Sequence, residues 1–252
     1  MFGLDSIFAS LPQLLLACLV LTVAEAVYVT LGFGAGLIAV GGLALLIPEL
    51  QDVVVMLLLV NLPAELWVVW TSRRDIAWRG VFILFAGIGV GIPVGTWLLR
   101  WSEPGVLLTA LGIFLVVVGA VFLVSPTVRR RTWPGWVAPP VGVLSGLLTG
   151  LFGTGGPPLV LYYQLSGADK KTFRGHLMAI FLMMTVVRVP SYAVFGLITP
   201  TRMWSAFLVL PAVLAGALIG NRIHLELSEA AFRRIVSSAL VVIGLLLLVP
   251  IG

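Results

Sequence analysis

The chain alternates long apolar stretches with short punctuation by charge, proline or glycine. The long stretches cover 11–31, 52–71, 76–99, 104–124, 134–152, 174–198, 203–224 and 229–250. A helix needs about 20 apolar residues to cross the hydrocarbon of a bilayer, so these read as spans. Two further stretches, 36–47 and 157–166, are much shorter. Each short one directly follows a glycine-rich break: Gly32-Phe33-Gly34-Ala35-Gly36 in the first half of the chain, Phe152-Gly153-Thr154-Gly155-Gly156-Pro157-Pro158 in the second. The pattern predicts an all-α polytopic membrane protein of ten helical segments, two of them short and broken or re-entrant.

The segments repeat. Phe33-Gly34-Ala35-Gly36 aligns on Phe152-Gly153-Thr154-Gly155 with an offset of 119 residues, and Gly91-Ile92-Pro93-Val94-Gly95 on Gly216-Ala217-Leu218-Ile219-Gly220 with an offset of 125, so a six-residue insertion in the second half reconciles the two. The proline- and arginine-rich stretch from Ser125 to Pro140 joins the copies. One transmembrane domain is expected, with repeat one at 1–126 and repeat two at 127–252.

Five crossings per repeat would invert the second copy, whereas four would leave it parallel. The basic residues decide, because cytoplasmic loops carry an excess of lysine and arginine. If each short segment returns the chain, Arg73, Arg74, Arg79, Arg129, Arg130, Arg131, Lys170, Lys171, Arg174, Arg222, Arg233 and Arg234 share one side and only Arg100 and Arg202 the other, twelve against two. If the short segments merely extend their neighbours, the division is seven against seven and the bias vanishes. Two inverted-topology repeats of five segments each are therefore expected, with both termini outside.

Composition narrows the class. Of the 252 residues, 60% are hydrophobic and 10% charged, against about 25% charged in an average soluble domain, which excludes a soluble enzyme or binding module. The net charge of +5 belongs to the basic loops, which fit anionic membrane lipid; with no aromatic-interleaved base-binding fold, no nucleic acid partner is expected. The tryptophans lie at or near segment ends, as an interfacial belt. One cysteine, Cys18, and two distant histidines, His176 and His224, offer neither a disulfide framework nor a metal cluster, and no cofactor is expected. An intramembrane enzyme would need a paired nucleophile and base, and no suitable spacing occurs. A homodimer is left undecided.

Function then falls on the few polar groups at membrane depth. Glycine lets a ligand approach the backbone closely, and a helix that starts after such a break presents N–H groups and a positive dipole end, a seat for a small anion. In inverted-repeat transporters the broken helices of both halves usually meet near the midplane. The candidates are Gly34, Gly36, Gly153, Thr154, Gly155 and Gly156, with a hydroxyl donor from Thr154. Pro157 and Pro158 suit the first turn of the short helix. Small residues that only let helices pack closely are the competing account, but consecutive glycines followed by two prolines break a helix, which packing motifs do not.

Arg188 is the one basic residue well inside an apolar segment. A guanidinium there either holds an oxyanion through paired hydrogen bonds or forms a structural ion pair with Glu65 or Glu25, and both roles stay open. Asn61 and Glu65 are four residues apart on one helix face, in the element equivalent by repeat to the one carrying Arg188. Glu25, about two-thirds along the first span, suits proton coupling, with a glutamate bonded to Thr22 or Thr30 as the competing account. His176, Asn221, Tyr162 and Tyr163 are second-rank candidates, with interfacial or packing roles favoured.

The breaks early in each half, the second reading Gly150-Leu151-Phe152-Gly153-Thr154-Gly155-Gly156-Pro157-Pro158, resemble those of the TauE/SafE sulfite exporter family, and the likeness runs over the whole chain. The first break departs from the family's pattern where Ala35 and Leu37 replace further glycine. The resemblance implies a secondary transporter in the bacterial inner (cytoplasmic) membrane, moving small sulfur-containing anions such as sulfite or organosulfonates by alternating access. The alternative class is a passive channel for small anions or weak acids, with the glycine loops as its filter.

Overall fold

The computed structural model describes residues 6–31, 35–72, 78–124, 135–165, 170–222 and 229–249. Among them the regular structure is entirely helical: α1 (Leu11–Leu31), α2 (Ala35–Ala44), α3 (Leu50–Ser72), α4 (Trp78–Trp101), α5 (Pro104–Val124), α6 (Ala138–Phe152), α7 (Gly156–Leu165), α8 (Lys170–Val194), α9 (Pro200–Arg222) and α10 (Glu229–Leu248), with one 3-10 turn at Gly135–Val137. These are the ten expected segments. Stretches within α4, α5 and α9 are long and apolar enough to cross a membrane, and α1, α3, α6, α8 and α10 carry shorter apolar runs. The helices turn apolar side chains outward, Leu15 and Leu19 on α1, Ile113 and Val117 on α5, Leu214 and Leu218 on α9. Such faces suit lipid, and the chain is a polytopic membrane protein.

Local chemistry sets the ends. α1 begins where the Ser10 hydroxyl accepts the N–H of Gln13 at 3.4 Å while Gln13 Oε1 accepts the N–H of Ala9 at 2.6 Å, a reciprocal cap. α8 stops at Val194, four residues short of the expected 198, because Gly196 turns left-handed at φ 66° and the N–H of Leu197 closes on the Tyr192 carbonyl at 2.8 Å. α9 starts at Pro200, earlier than expected, since proline suits a first helical position and the Thr199 hydroxyl caps the N–H of Arg202 at 3.3 Å. α2 and α7 have 10 residues each, about 15 Å of helix against about 30 Å of hydrocarbon.

The chain forms two compact units, and each draws on both halves of the sequence. The first comprises residues 1–60, 102–125 and 198–252, the second 61–101 and 126–197. In the first unit α5 packs on α10 and α1 on α9. The N-terminal half of α3 is its core, with Leu50, Val53, Val54, Val55, Met56, Leu57, Leu58 and Val60 all buried, as expected of a helix that is apolar all round. Its start is tied to that of α9 by an ion pair, Arg202 Nε to Asp52 Oδ1 at 2.7 Å. α5 and α10 touch backbone to backbone: a Cβ on Gly112 would stand 2.9 Å from the Gly244 carbonyl oxygen, and one on Gly244 2.7 Å from that of Gly112.

In the second unit α4 lies on α6 along a ridge of glycines four apart, Gly87, Gly91 and Gly95 against Gly142, Gly146 and Gly150. A Cβ on Gly146 would sit 2.7 Å from the Ile88 carbonyl oxygen and 3.1 Å from the Gly91 Cα. Lipid gives little hydrophobic drive to helix pairing, so close backbone packing is what holds such a pair. The alignment that places Gly91 on Gly216 has its counterpart in the first unit, where Gly216 of α9 meets the Thr22 carbonyl of α1 and the Thr22 hydroxyl donates to the Ala212 carbonyl at 3.0 Å. In each unit, then, the first helix of one half packs on the fourth helix of the other.

Candidate functional site

The second glycine break lies wholly within the second unit. α6 ends on Gly153, left-handed at φ 74°, whose N–H donates to the Thr149 carbonyl at 2.9 Å. Glycine carries that conformation without the Cβ clash of other residues. Residues 153–155 leave the helix and α7 starts at Gly156, with Pro157 and Pro158 in its first turn as expected. The two prolines have no N–H, so the backbone donors at the start of α7 come from Thr154, Gly155 and Gly156. The break thus places two opposed half-helix ends side by side, the negative end of α6 and the positive end of α7.

One face of α8 serves both ends. Phe181, Met184, Arg188 and Tyr192 recur at helical spacing. A Cβ on Gly156 would lie 3.6 Å from the Phe181 ring. The Thr149 hydroxyl reaches Met184 Sδ at 3.3 Å and donates to the Ser145 carbonyl at 2.7 Å. Arg188 is buried, with 6% of its surface exposed; its Nη1 donates to the Gly153 carbonyl at 3.4 Å, and its guanidinium carbon lies 4.9 Å from the centroid of the Tyr192 ring. Tyr192, fully buried, donates its hydroxyl to the Gly150 carbonyl at 2.9 Å. Two carbonyls at this end, those of Gly150 and Gly153, are therefore covered by a tyrosine and an arginine from the same helix.

This has an electrostatic consequence. Free carbonyls at the end of α6 would repel an anion seated at α7. With the Gly150 and Gly153 carbonyls occupied and a guanidinium beside them, that repulsion is reduced. Arg188 so holds a structural place at the end of α6 and stands beside the break. Gly155 makes the break tight: a Cβ there would run into the Ser145 carbonyl oxygen and the Thr149 hydroxyl.

Of the residues singled out from the sequence, Gly153, Thr154, Gly155, Gly156 and Arg188 come together here. Asn61 is half-buried on α3, at the point where that helix passes from the first unit to the second. Gly36, in the first turn of α2, and Glu25, on α1, belong to the first unit and are half-buried. Glu25 faces α9, where its Cβ would be 3.0 Å from a Cβ placed on Gly216. Gly34 and the side chains of Glu65, His176 and Asn221 lie outside the described residues. Tyr163 is buried and packs edge-on against Tyr162, ring centroids 5.4 Å apart. Among the described residues no group of histidine, cysteine, aspartate and glutamate is arranged to hold a metal ion. Ser145, Thr149 and Tyr192 were not anticipated, although Tyr192 stands one helical turn beyond Arg188 and Ser145 one turn before Thr149, a signal legible once the break is taken as the site.

The family model described as sulfite exporter TauE/SafE matches residues 16–247. A protein of Cupriavidus necator named probable sulfite/organosulfonate exporter TauE is 29% identical over 228 residues, covering 87% of each chain. A protein of Comamonas testosteroni named probable inner membrane transporter protein TsaS is 25% identical over 191 residues, 75% of this chain and 80% of that one. No solved structure matches the chain.

Proposed function

Because the chain belongs to the sulfite exporter TauE/SafE family of membrane transporters, we propose that it carries small sulfur-containing anions, sulfite or organosulfonates, across the bacterial inner membrane as a secondary transporter working by alternating access. The observation that carries this is the break between α6 and α7: donors of Thr154, Gly155 and Gly156 at a helix start, an adjacent buried arginine, and the opposed carbonyls of Gly150 and Gly153 already bonded. A helix start with a guanidinium selects negative charge and favours an oxyanion, whose several oxygens accept bonds from both. Of the relatives, one is named for sulfite and organosulfonate export, which supports the sulfur class.

The packing of α1 on α9 and of α4 on α6 supports duplicated copies that exchange equivalent helices, and the division of basic residues supports inverted copies with both termini outside. In the sequence Gly34 and Gly36 mark the equivalent break of the first copy, Asn61 is a further polar candidate, and Glu25 and Glu65 are the carboxylates available for proton coupling. The direct test of substrate class is a thermal-unfolding screen of the purified protein against sulfite, thiosulfate, sulfate, sulfoacetate, taurine and simple carboxylates, since a ligand stabilises the state it binds. Sulfite or a sulfonate should raise the transition and carboxylates should not. Stabilisation by carboxylates alone would remove the sulfur assignment.

A further inference from the structure

Hydroxyls inside membrane helices commonly spend their hydrogen on the carbonyl one turn back. Thr96, Thr109, Ser191 and Ser205 all do so here, at 2.8 Å, and Thr149 does so at 2.7 Å. Ser145 and Ser237 depart from this: both are buried, at 0% and 1% exposure, and neither hydroxyl has a hydrogen-bond partner. A buried hydroxyl left unbonded costs stability, and more so where no water reaches.

The two serines differ in place. Ser237 lies in the seam between α10 and α5 of the first unit, where its backbone oxygen would stand 2.7 Å from a Cβ on Gly119; it belongs to a close helix contact, where small residues are common. Ser145 lies one turn before Thr149, so the two share a face of α6. That face meets the glycine break, since both the Ser145 carbonyl and the Thr149 hydroxyl bound the space beside Gly155. The Thr149 hydroxyl is committed to the Ser145 carbonyl. The Ser145 hydroxyl is the donor left over.

We propose that Ser145 is a substrate-binding residue, donating its hydroxyl to an oxygen of the bound anion at the break between α6 and α7. Gly155 stands against that face here, so the donor is offered when the first turn of α7 lifts from α6 to admit the ion. The proposal rests on the anion site described above and adds to it a neutral donor from the opposite half-helix. A hydroxyl on α6 bonds an oxyanion without the charge that would hold it too tightly for release.

The unbonded hydroxyl gives the proposal a signature that a structural serine lacks. Thermal unfolding of the full-length purified protein, titrated with sulfite, should be compared for wild type, Ser145→Ala, Ser145→Cys and Ser237→Ala. Ser145→Ala should unfold at the wild-type temperature or above without ligand, because an unsatisfied polar group is removed, yet bind sulfite about 10- to 100-fold more weakly, the range expected for one lost hydrogen bond to a charged group. Ser145→Cys, which keeps the volume with a poorer donor, should show the same loss. Ser237→Ala should match wild type in affinity. Wild-type affinity in Ser145→Ala would overturn the proposal alone, as would an equal loss in Ser237→Ala or the failure of both Ser145 variants to fold. The absence of any sulfite shift in wild type would overturn the anion site itself, and the proposal with it.

Discussion

Two adjacent glycines at the break should respond oppositely to the same added methyl group. At Gly155 a Cβ would run into the Ser145 carbonyl oxygen and the Thr149 hydroxyl, both tied into α6 by the hydrogen bond between them. Neither is the loose end of a flexible side chain. The first turn of α7 would have to move, and overpacking of that kind costs about 1–3 kcal/mol. The narrower unfolded ensemble of alanine returns about 0.4–1 kcal/mol, so Gly155→Ala should lose about 1–2 kcal/mol in balance. At Gly156 the methyl meets only the Phe181 ring, at 3.6 and 3.9 Å, ordinary contact distances. Gly156 is the first residue of α7, where alanine is accepted, and the same entropy term leaves Gly156→Ala level with wild type or more stable. For a chain of this size each kcal/mol moves the midpoint by about 2–4 °C. Thermal unfolding of both variants in one detergent, read by intrinsic tryptophan fluorescence, should therefore separate them by several degrees, Gly155→Ala below wild type and Gly156→Ala not. Anion transport should fall in Gly155→Ala, because the seat is displaced. Equal midpoints for the two variants would refute the tight apposition of α7 on α6 from which the site is built.

Two further outcomes are expected. Arg188→Gln should keep the protein folded, since what it loses at the Gly153 carbonyl is a long hydrogen bond of 3.4 Å, while lowering sulfite affinity about 10- to 100-fold for the lost charged hydrogen bond; unchanged affinity in a binding titration would leave Arg188 only as the cap of α6. A single cysteine introduced at Lys170 in a Cys18→Ala background should react with a membrane-impermeant maleimide from the cytoplasmic side only, and one at Glu103 from outside only; labelling at position 170 from outside would remove the inverted topology.

Much of the helical pattern was legible in the chain because a membrane segment must bury its backbone polar groups in itself, so apolar length alone marks a helix. α1 and α5 keep the expected limits, and α2 and α7 begin at their breaks. Two ends moved for local reasons that a hydropathy pattern does not contain: the left-handed Gly196 stops α8, and Pro200 with the Thr199 cap starts α9. The break at 153–156 was equally legible, since glycines followed by prolines have few other uses in a membrane. Its surroundings were not. That Arg188 reaches the Gly153 carbonyl, or that Tyr192 closes on Gly150, depends on how α8 is rotated against α6, and rotation is set by packing rather than by pattern. By pattern Ser145 is one more small residue in a glycine-rich helix; only the packing sets its carbonyl against Gly155 and leaves its hydroxyl without a hydrogen-bond partner.

The account stands most directly on whether the protein moves a sulfur oxyanion against its gradient. Purified protein reconstituted into liposomes, given radiolabelled sulfite and an imposed proton gradient, should accumulate the label above its external concentration, and should lose that accumulation in Arg188→Gln. Equilibration to the external concentration and no further, whatever gradient is imposed, would contradict coupled transport and make the protein a channel.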